Sequence, residues 1–409
     1  MRTGQGFGRF SSGRRAFRNV VLLVPALVLI ATMLNTSSCS NNGLLPQSGS
    51  GSQSPTATPT SGTGALAFVT NFNDGKVSSF TRNLTTGVLK RTGQVTAGAK
   101  KGPMGLVAAP SGSFLYVANN SDGNIYQFSI NATTGVLTPL SPAFVSNGSG
   151  SGPDEIAINS AGSFLWVTGG TKGTVTPYSI NTSTGQLTQI TTKVTGLTSP
   201  IGITVDPTSA FVYVADTGSG LVYAYSINTD GTLTQIGSPV SDLGGSGGSP
   251  AFIAVDPGGG FIYVTDLNAG VLAVLKTVSG ALSFFSTVPT ATTSNKPIGI
   301  GYGAVPSVGN FVFTANQAVS TVWTFLITSP GFPSTPVETS TTDLSAPTGL
   351  VVDPQVAFLY VTNQDAGTVS QFQLTATCLN TGAPCLVGSI ATESPANANS
   401  GPYQIILAQ

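Results

Sequence analysis

The 409-residue chain is 40% hydrophobic and 7% charged, with 51 Gly, 26 Pro, 3 Cys and no His. The lack of His excludes a Ser-His-Asp triad, a His-ligated zinc ion and a His general base. Fifteen Lys and Arg against fifteen Asp and Glu provide no cationic surface for nucleic acid. The mean hydropathy of +0.25 would suit a membrane protein, yet beyond the N-terminus every apolar run is interrupted before it reaches about 18 residues.

The N-terminus has the pattern of an export signal. Residues 1–18 carry five Arg and no acid, and a short apolar stretch then leads to the small residues before Cys39. We predict a signal peptide over residues 1–38, in which Arg14-Arg15 resembles a twin-arginine motif. Ser37-Ser38-Cys39 resembles the end of a lipobox, so Cys39 is the predicted site of lipid attachment; an uncleaved transmembrane anchor is the alternative. We therefore expect an exported protein of the cell envelope, in the periplasm or at the outer membrane.

The segment that follows is a predicted tether. Residues 39–64 are rich in Ser, Gly, Thr and Pro and carry no charge, so they cannot bury a core. Beyond residue 38 the chain has ten basic and fifteen acidic residues, which makes this part mildly acidic.

From Leu66 to the end, the chain repeats with a period of 47 to 50 residues. One marker is a Phe-apolar-aromatic-Val/Thr motif, with a weaker first copy, starting at Leu66, Phe114, Phe164, Phe211, Phe261, Phe311 and Phe358. The other marker is a proline followed three residues later by Leu or Ile, at Pro103, Pro153, Pro200, Pro250, Pro297, Pro347 and Pro402.

Each repeat contains four short β-rich runs separated by turn residues and shows no helical periodicity. This pattern is typical of a propeller blade. The last proline has no motif after it, and the first motif has no proline run before it. The C-terminal run should therefore complete the N-terminal blade and close the ring. We predict an all-β fold over residues 65–409, a seven-bladed β-propeller of four-stranded antiparallel blades.

The motifs also carry a family resemblance. Tyr360-Val361-Thr362-Asn363 spells YVTN, and hairpins such as Asn131 to Leu137 have the pattern Asn-x-x-Thr-Gly-x-Leu. The chain resembles the YVTN-repeat propellers and the lactonase-type propellers related to 6-phosphogluconolactonase. That resemblance implies a His after the marker proline and Arg in the inner ring. This sequence has no His, and Arg82 and Arg91, the only arginines after residue 38, fall in the outer strands of the first blade.

Two other features have structural interpretations. Asp206, Asp256 and Asp353 each precede a proline, which favours a carboxylate that accepts local backbone N–H groups in a tight turn over a ring of channel carboxylates. Cys378 and Cys385 form an even pair in an exported chain, which favours a disulfide over a redox or metal site.

A ligand site in a propeller is expected where the turns converge on one mouth of the central channel. The candidates are the residues after the marker prolines and the turn acids: Met104, Asp154, Thr348, Tyr403, Asp216 and Asp266. We expect the loops 146–152 and 242–249 to shape this site.

Glu155 occupies a position that is Gly in four other repeats and Phe252 or Gln404 in the remaining two. Such a departure marks Asp154 and Glu155 as candidate catalytic residues, with a solvated pair at a strand entry as the alternative. Because neighbouring strand residues point to opposite faces, we expect the two to act singly. One of them would serve as a general base, or as a cation ligand together with Asp216 and Asp266.

Two functions follow. The first is an envelope-anchored scaffold that binds a protein, glycan or small ligand, which the lack of His and of inner-ring Arg favours. The second, implied by the resemblance, is a lactone hydrolase with a carboxylate at the channel mouth. We expect no cofactor or confident metal site, with a divalent cation such as calcium as the alternative. We also expect a monomer held at the membrane through its N-terminal lipid, with no nucleic acid partner.

Overall fold

The computed structural model describes residues 66–98, 102–245, 247–290, 296–305, 308–328, 331–353, 357–379, 383–393 and 400–408. The predicted signal peptide and the tether, with Cys39, lie outside these residues. Within this part of the chain, no helix is both long and apolar enough to cross a bilayer.

Seven antiparallel sheets are present, and each innermost strand begins at a marker proline. These inner strands contact one another in a closed ring. With strands numbered in chain order, they are β4 (Pro103–Ala108), β8 (Pro153–Ile158), β12 (Pro200–Val205), β17 (Pro250–Val255), β21 (Pro297–Val305), β26 (Pro347–Asp353) and β30 (Pro402–Ala408).

The second strands contain the Phe motif and are almost wholly buried, because they pack against neighbouring blades on both faces. They are β1 (Leu66–Asn71), β5 (Phe114–Asn119), β9 (Phe164–Gly169), β13 (Phe211–Asp216), β18 (Phe261–Asp266), β22 (Gly309–Asn316) and β27 (Phe358–Asn363).

The third strands lie one step further from the axis and form hairpins with the outermost strands. The third strands are β2 (Lys76–Arg82), β6 (Asn124–Ile130), β10 (Thr174–Ile180), β14 (Leu221–Ile227), β19 (Val271–Val278), β23 (Thr321–Thr328) and β28 (Thr368–Gln373). The outermost strands are β3 (Leu89–Thr96), β7 (Leu137–Ser146), β11 (Leu187–Gln189), β15 (Leu233–Gln235), β20 (Ala281–Pro289), β24 (Phe332–Pro333) and β29 (Cys385–Ala391).

A few short elements complete the fold. Strand β16 (Val240–Ser241) pairs with β14, and β25 (Val337–Ser340) pairs with β23. A 3-10 turn spans Gln317–Val319, and a single helical turn, α1, spans Ala376–Leu379. The disulfide between Cys378 and Cys385, whose Cα atoms are 5.5 Å apart, links α1 to the start of β29. It is the pairing that the sequence predicts.

The predicted ring closure is confirmed. The C-terminal strand β30 pairs with β1, with Leu66 opposite Ala408, and joins β1, β2 and β3 in one blade. A buried ion pair reinforces this joint, since the Arg82 guanidinium of β2 lies 2.7 Å from the Asp353 carboxylate of β26 in the last blade. The joint therefore combines a hydrogen-bonded ladder with a charge pair shielded from water.

The core lies between the blades. Apolar clusters combine side chains from adjacent sheets, as where Leu66 and Phe68 pack with Leu115 and Val117. The aromatic residue of the Phe motif adds a polar anchor to the next blade. Tyr116, Trp166 and Tyr360, for instance, each donate a hydrogen bond of 2.8 to 2.9 Å to the carbonyl of a hairpin glycine.

The Asp-Pro turns follow the prediction at two of the three sites. The Asp206 and Asp256 carboxylates accept backbone N–H groups within their own turns, from Phe211 at 2.6 Å and from Phe261 at 2.7 Å. Asp353 differs, because it carries the inter-blade ion pair with Arg82.

Candidate functional site

One end of the channel collects the sequence-predicted candidates. At this end the inner strands begin and the second strands finish, as the pairing of Pro103 with Asn119 and of Pro153 with Gly169 shows. The turns between second and third strands therefore lie beside the starts of the inner strands. We call this end the proline face.

Asp154 lies at the proline face, at the entry of β8, and is 7% exposed. Its Oδ1 accepts a hydrogen bond of 2.7 Å from the Asn120 amide, which belongs to the turn of the preceding blade. Burial raises the pKa of Asp154 to about 7, and hydrogen bonds from Asn120 and the Gly170 backbone offset part of that rise. At neutral pH this carboxyl is close to half protonated.

Glu155, one residue further along β8, is 6% exposed. Its Oε2 accepts a 2.8 Å hydrogen bond from Gln404 Nε2 on β30, two inner strands away around the ring. The glycine of the intervening strand makes this reach feasible, since a Cβ at Gly105 would lie 2.8 Å from the Glu155 Cα. Burial raises the pKa of Glu155 to about 8, the Gln404 hydrogen bond lowers it in part, and the Asp154 charge raises it further.

The expectation that Asp154 and Glu155 act singly stays a prediction, and the two carboxyls have different hydrogen-bond partners, Asn120 and Gln404. Strand β8 has a register irregularity between Pro153 and Ile156, as the inner strands of other blades have after their marker prolines. Both carboxyls contribute to raising the pKa of Tyr403, and the Asp154 charge raises the pKa of Glu155. The two carboxyls thus form one electrostatically coupled group.

Aromatic rings border this carboxyl pair. Tyr403, half-buried on β30, has its ring 6.2 Å from Phe72 and 6.5 Å from Phe252 between centroids. Burial, followed by the nearby Glu155 and Asp154, raises the pKa of Tyr403, so its hydroxyl stays protonated. The mouth therefore presents flat apolar rings beside carboxyl and amide groups.

A small cavity lies between the inner strands near Tyr403. A cavity of about 30 Å³ is lined by Phe252, Thr348, Tyr403 and Gln404, together with inner-strand backbone. This volume suits about one water molecule rather than a sugar-sized ligand. Larger ligands would have to bind at the mouth.

The remaining candidates have mainly structural roles. Thr348, 2% exposed, donates to the backbone carbonyls of Pro402 and Tyr403 at 3.0 and 2.9 Å, and so joins β26 to β30. Met104 is half-buried at the start of β4, and its carbonyl accepts the Thr70 hydroxyl.

The two turn acids are fully buried. Asp216 accepts backbone N–H groups from Thr198 and Ser199 at 2.9 and 2.6 Å, and Asp266 accepts that of Ser249 at 2.6 Å. Asp154 and Glu155 share their surroundings with neither acid in any contact described, so a common cation site with them has no support. In the described residues, no group of three or more His, Cys, Asp or Glu side chains could hold a metal ion.

Sequence reasoning missed a second carboxyl pair. Asp242, fully buried, follows β16, and its carboxyl and that of Asp266 both border the space where a side chain of Gly248 would lie. Burial, then the charge of Asp266 and a hydrogen bond to it, raises the pKa of Asp242 to about 8. Asp242 therefore favours its protonated form at neutral pH.

The sequence carried a signal for two residues at the mouth that were not proposed as ligands. Phe252 and Gln404 occupy the repeat position of Glu155, where other blades have Gly. That substitution pattern could have marked all three as channel residues. Asn120 and Phe72 had no comparable signal, because turn residues vary from blade to blade.

Family comparison agrees with this architecture. The model of the family "Lactonase, 7-bladed beta-propeller" matches residues 42–151, 99–199, 164–294 and 203–383, which together span most of the chain. The chain belongs to the seven-bladed β-propeller lactonase family. The staggered, overlapping matches reflect the similarity of its blades to one another.

Solved structures show the fold of this lactonase-family propeller in other proteins. A Lactobacillus plantarum protein is 19% identical with a TM-score of 0.70, covering 85% of this chain and 100% of its own. A proposed 6-phosphogluconolactonase from Bacteroides fragilis is 17% identical with a TM-score of 0.69. The match covers 86% of this chain and 100% of that protein. A periplasmic gluconolactonase from Pseudomonas aeruginosa is 16% identical with a TM-score of 0.65. The match covers 84% of this chain and 98% of that protein. Comparison with proteins of curated function finds no significant sequence match.

Proposed function

We propose that this propeller is an envelope-anchored binding protein whose proline face takes a carbohydrate, a sugar or a sugar lactone, at the channel mouth. The observation that carries the proposal is the pair of buried carboxyls, Asp154 and Glu155, held by amides at the proline face near the ring of Tyr403. Neutral carboxyls and amides both donate and accept hydrogen bonds, as sugar hydroxyls do. Aromatic faces supply the apolar surface against which a sugar ring packs.

The small cavity beside Tyr403 supports binding over catalysis. A cavity of about 30 Å³ cannot enclose the reacting carbonyl of a sugar lactone, and none of the side chains that line it is cationic. An oxyanion formed there would have no positive charge to stabilise it. Anchoring through Cys39 and the tether of residues 39–64 is part of the same proposal, since it would hold this face away from the membrane.

Lactone hydrolysis is the second candidate, and the pKa of Asp154 favours it. A carboxyl with a pKa of about 7 has nearly optimal basicity for general-base catalysis at neutral pH. The Asp154 carboxylate would take a proton from water as that water attacks the lactone carbonyl. The names of the gluconolactonase-type neighbours support this alternative.

One experiment separates the two functions. Purified protein is titrated calorimetrically with neutral sugars and sugar lactones, and carboxylate release is followed with and without calcium. The variants are Asp154→Asn and Glu155→Gln, with Asp230→Asn in the exposed hairpin between β14 and β15, at the end of the blades opposite the proline face, as the control.

Sugar binding without turnover supports the binding function. Asp154→Asn should then weaken the sugar affinity about 5- to 10-fold, which corresponds to the loss of one hydrogen bond. Turnover that Asp154→Asn abolishes would establish the hydrolase. Neither binding nor turnover by folded protein would refute both functions.

A further inference from the structure

A second cavity opens at the proline face, where the loop between β7 and β8 meets the blade formed by β8 to β11. It measures about 290 Å³ and is lined by side chains that include Asn147, Ser149, Ser151, Lys172, Thr174 and Lys193. We call it the lysine pocket. Its volume approaches that of typical small-ligand sites, and the loop 146–152, which the sequence marked as site-forming, contributes one wall.

The charge of the lysine pocket is unusual for this chain. Lys172 and Lys193 both line it, and no acidic side chain does. The ion pairs between described residues involve other cations, Lys76 and Arg82. Two like charges around one concave site repel each other and create a local positive potential in an otherwise mildly acidic protein. An anion would relieve that repulsion.

Buried polar groups line the pocket beside the two exposed lysines. Asn147 is 2% exposed, and its Oδ1 accepts a 2.8 Å hydrogen bond from the Tyr178 hydroxyl, which fixes the orientation of the amide. The Asn147 nitrogen donates to Ser151 Oγ at 3.3 Å, and Ser151 is also 2% exposed. Since the Ser151 oxygen accepts this bond, its own proton remains a donor for a group in the pocket.

The lysine pocket and the channel mouth share one turn of the chain. Lys172 lies two residues after Gly170, whose backbone hydrogen-bonds the Asp154 carboxyl. One turn between β9 and β10 therefore contacts the Asp154 carboxyl and lines the pocket. A ligand that covers this turn would meet neutral hydrogen-bonding groups at one end and two ammonium groups at the other.

We infer that the lysine pocket binds an oxyanion, a sulfate, phosphate or carboxylate group, and that it makes the propeller selective for anionic carbohydrates. The oxyanion site depends on the pocket alone, whereas the carbohydrate part rests on the proposed function. Lys172 and Lys193 pair with the anion, while Ser151 and Thr174 donate hydrogen bonds from the floor.

The test uses inorganic sulfate, inorganic phosphate and acetate as probes at constant ionic strength, with binding measured by calorimetry. The doubly charged anions should bind more tightly than acetate. Lys172→Gln/Lys193→Gln should weaken sulfate binding at least about 10-fold, as expected for the loss of two charge-assisted contacts. The matched control is Lys90→Gln/Lys276→Gln, which removes the same charge from exposed positions on other blades.

Two results would overturn the inference: no oxyanion binding by the parent protein, or an equal loss in the control variant. Asp154→Asn distinguishes the pocket from the channel mouth, because it should leave sulfate binding unchanged. Sulfate binding without any carbohydrate binding would retain the oxyanion site and refute the carbohydrate part. A sulfated or uronate sugar that binds no better than its neutral parent would refute the selectivity.

Discussion

Replacing Glu155 by Gln tests whether the channel carboxyl is protonated in the folded protein. Its pKa is raised from 4.5 to about 8, so the folded state keeps a proton that the unfolded chain releases as the pH rises above about 4.5. Stability from this group is therefore complete at low pH and is lost as the pH rises toward 8. The loss approaches 1.4 kcal/mol per pH unit within that window.

The variant should remove this loss, because Gln is neutral at every pH and can still accept the 2.8 Å hydrogen bond from Gln404. Between pH 5.5 and 7.5 the free energy of unfolding of Glu155→Gln, relative to the parent, should rise by up to about 3 kcal/mol. At pH 5.5 the variant should already be the more stable by about 1.4 kcal/mol, because the unfolded parent is then ionised at Glu155 while the folded parent is not.

The assay is urea unfolding followed by circular dichroism at pH 5.5, 6.5 and 7.5. The unfolding free energies of the two proteins must depend on urea concentration with the same slope for the comparison to hold. Asp154 and Asp242 also carry raised pKa values and affect parent and variant together, so only the difference is interpreted. Asp365→Asn, at an exposed turn, serves as the control and should give a flat difference. Parallel pH profiles for Glu155→Gln and the parent would refute the assignment of a buried, protonated carboxyl.

Three further substitutions test the scaffold. Arg82→Met should cost about 3 to 5 kcal/mol in urea unfolding, since it removes the cation that lies 2.7 Å from the buried Asp353 carboxylate. Adding Asp353→Leu should restore much of that loss, and additive effects would contradict the ion pair. Gly202→Ala should cost about 1 to 3 kcal/mol of stability, because the new Cβ would overlap a backbone oxygen of the next inner strand. Gly260→Ala is the control and should be nearly neutral in the same assay, because the space around Gly260 is open. Asp242→Asn should stabilise the protein by about 1 to 3 kcal/mol at pH 8 and much less at pH 5, because its buried carboxyl loses stability as the pH rises toward 8; equal effects at both values would contradict a proton shared with Asp266.

Local sequence was sufficient for the architecture of this protein. The spacing of the marker prolines and Phe motifs determined the number of blades, and the unmatched first and last copies determined the closure of β30 onto β1. These features repeat because each blade must bury the same surfaces against its neighbours. Their period can therefore be recognised in a single sequence. The unusual residue at position 155 was visible for the same reason.

The chemistry of the mouth depended on tertiary structure. Glu155 and Gln404 are 249 residues apart in the chain, and only the closed ring brings them to 2.8 Å. Asp154 likewise accepts its hydrogen bond from Asn120, a residue of the preceding blade. Burial then sets both pKa values, and burial belongs to the assembled ring rather than to any one repeat. Likewise, Lys172 and Lys193 come from separate loops, and their shared pocket exists only where two blades meet.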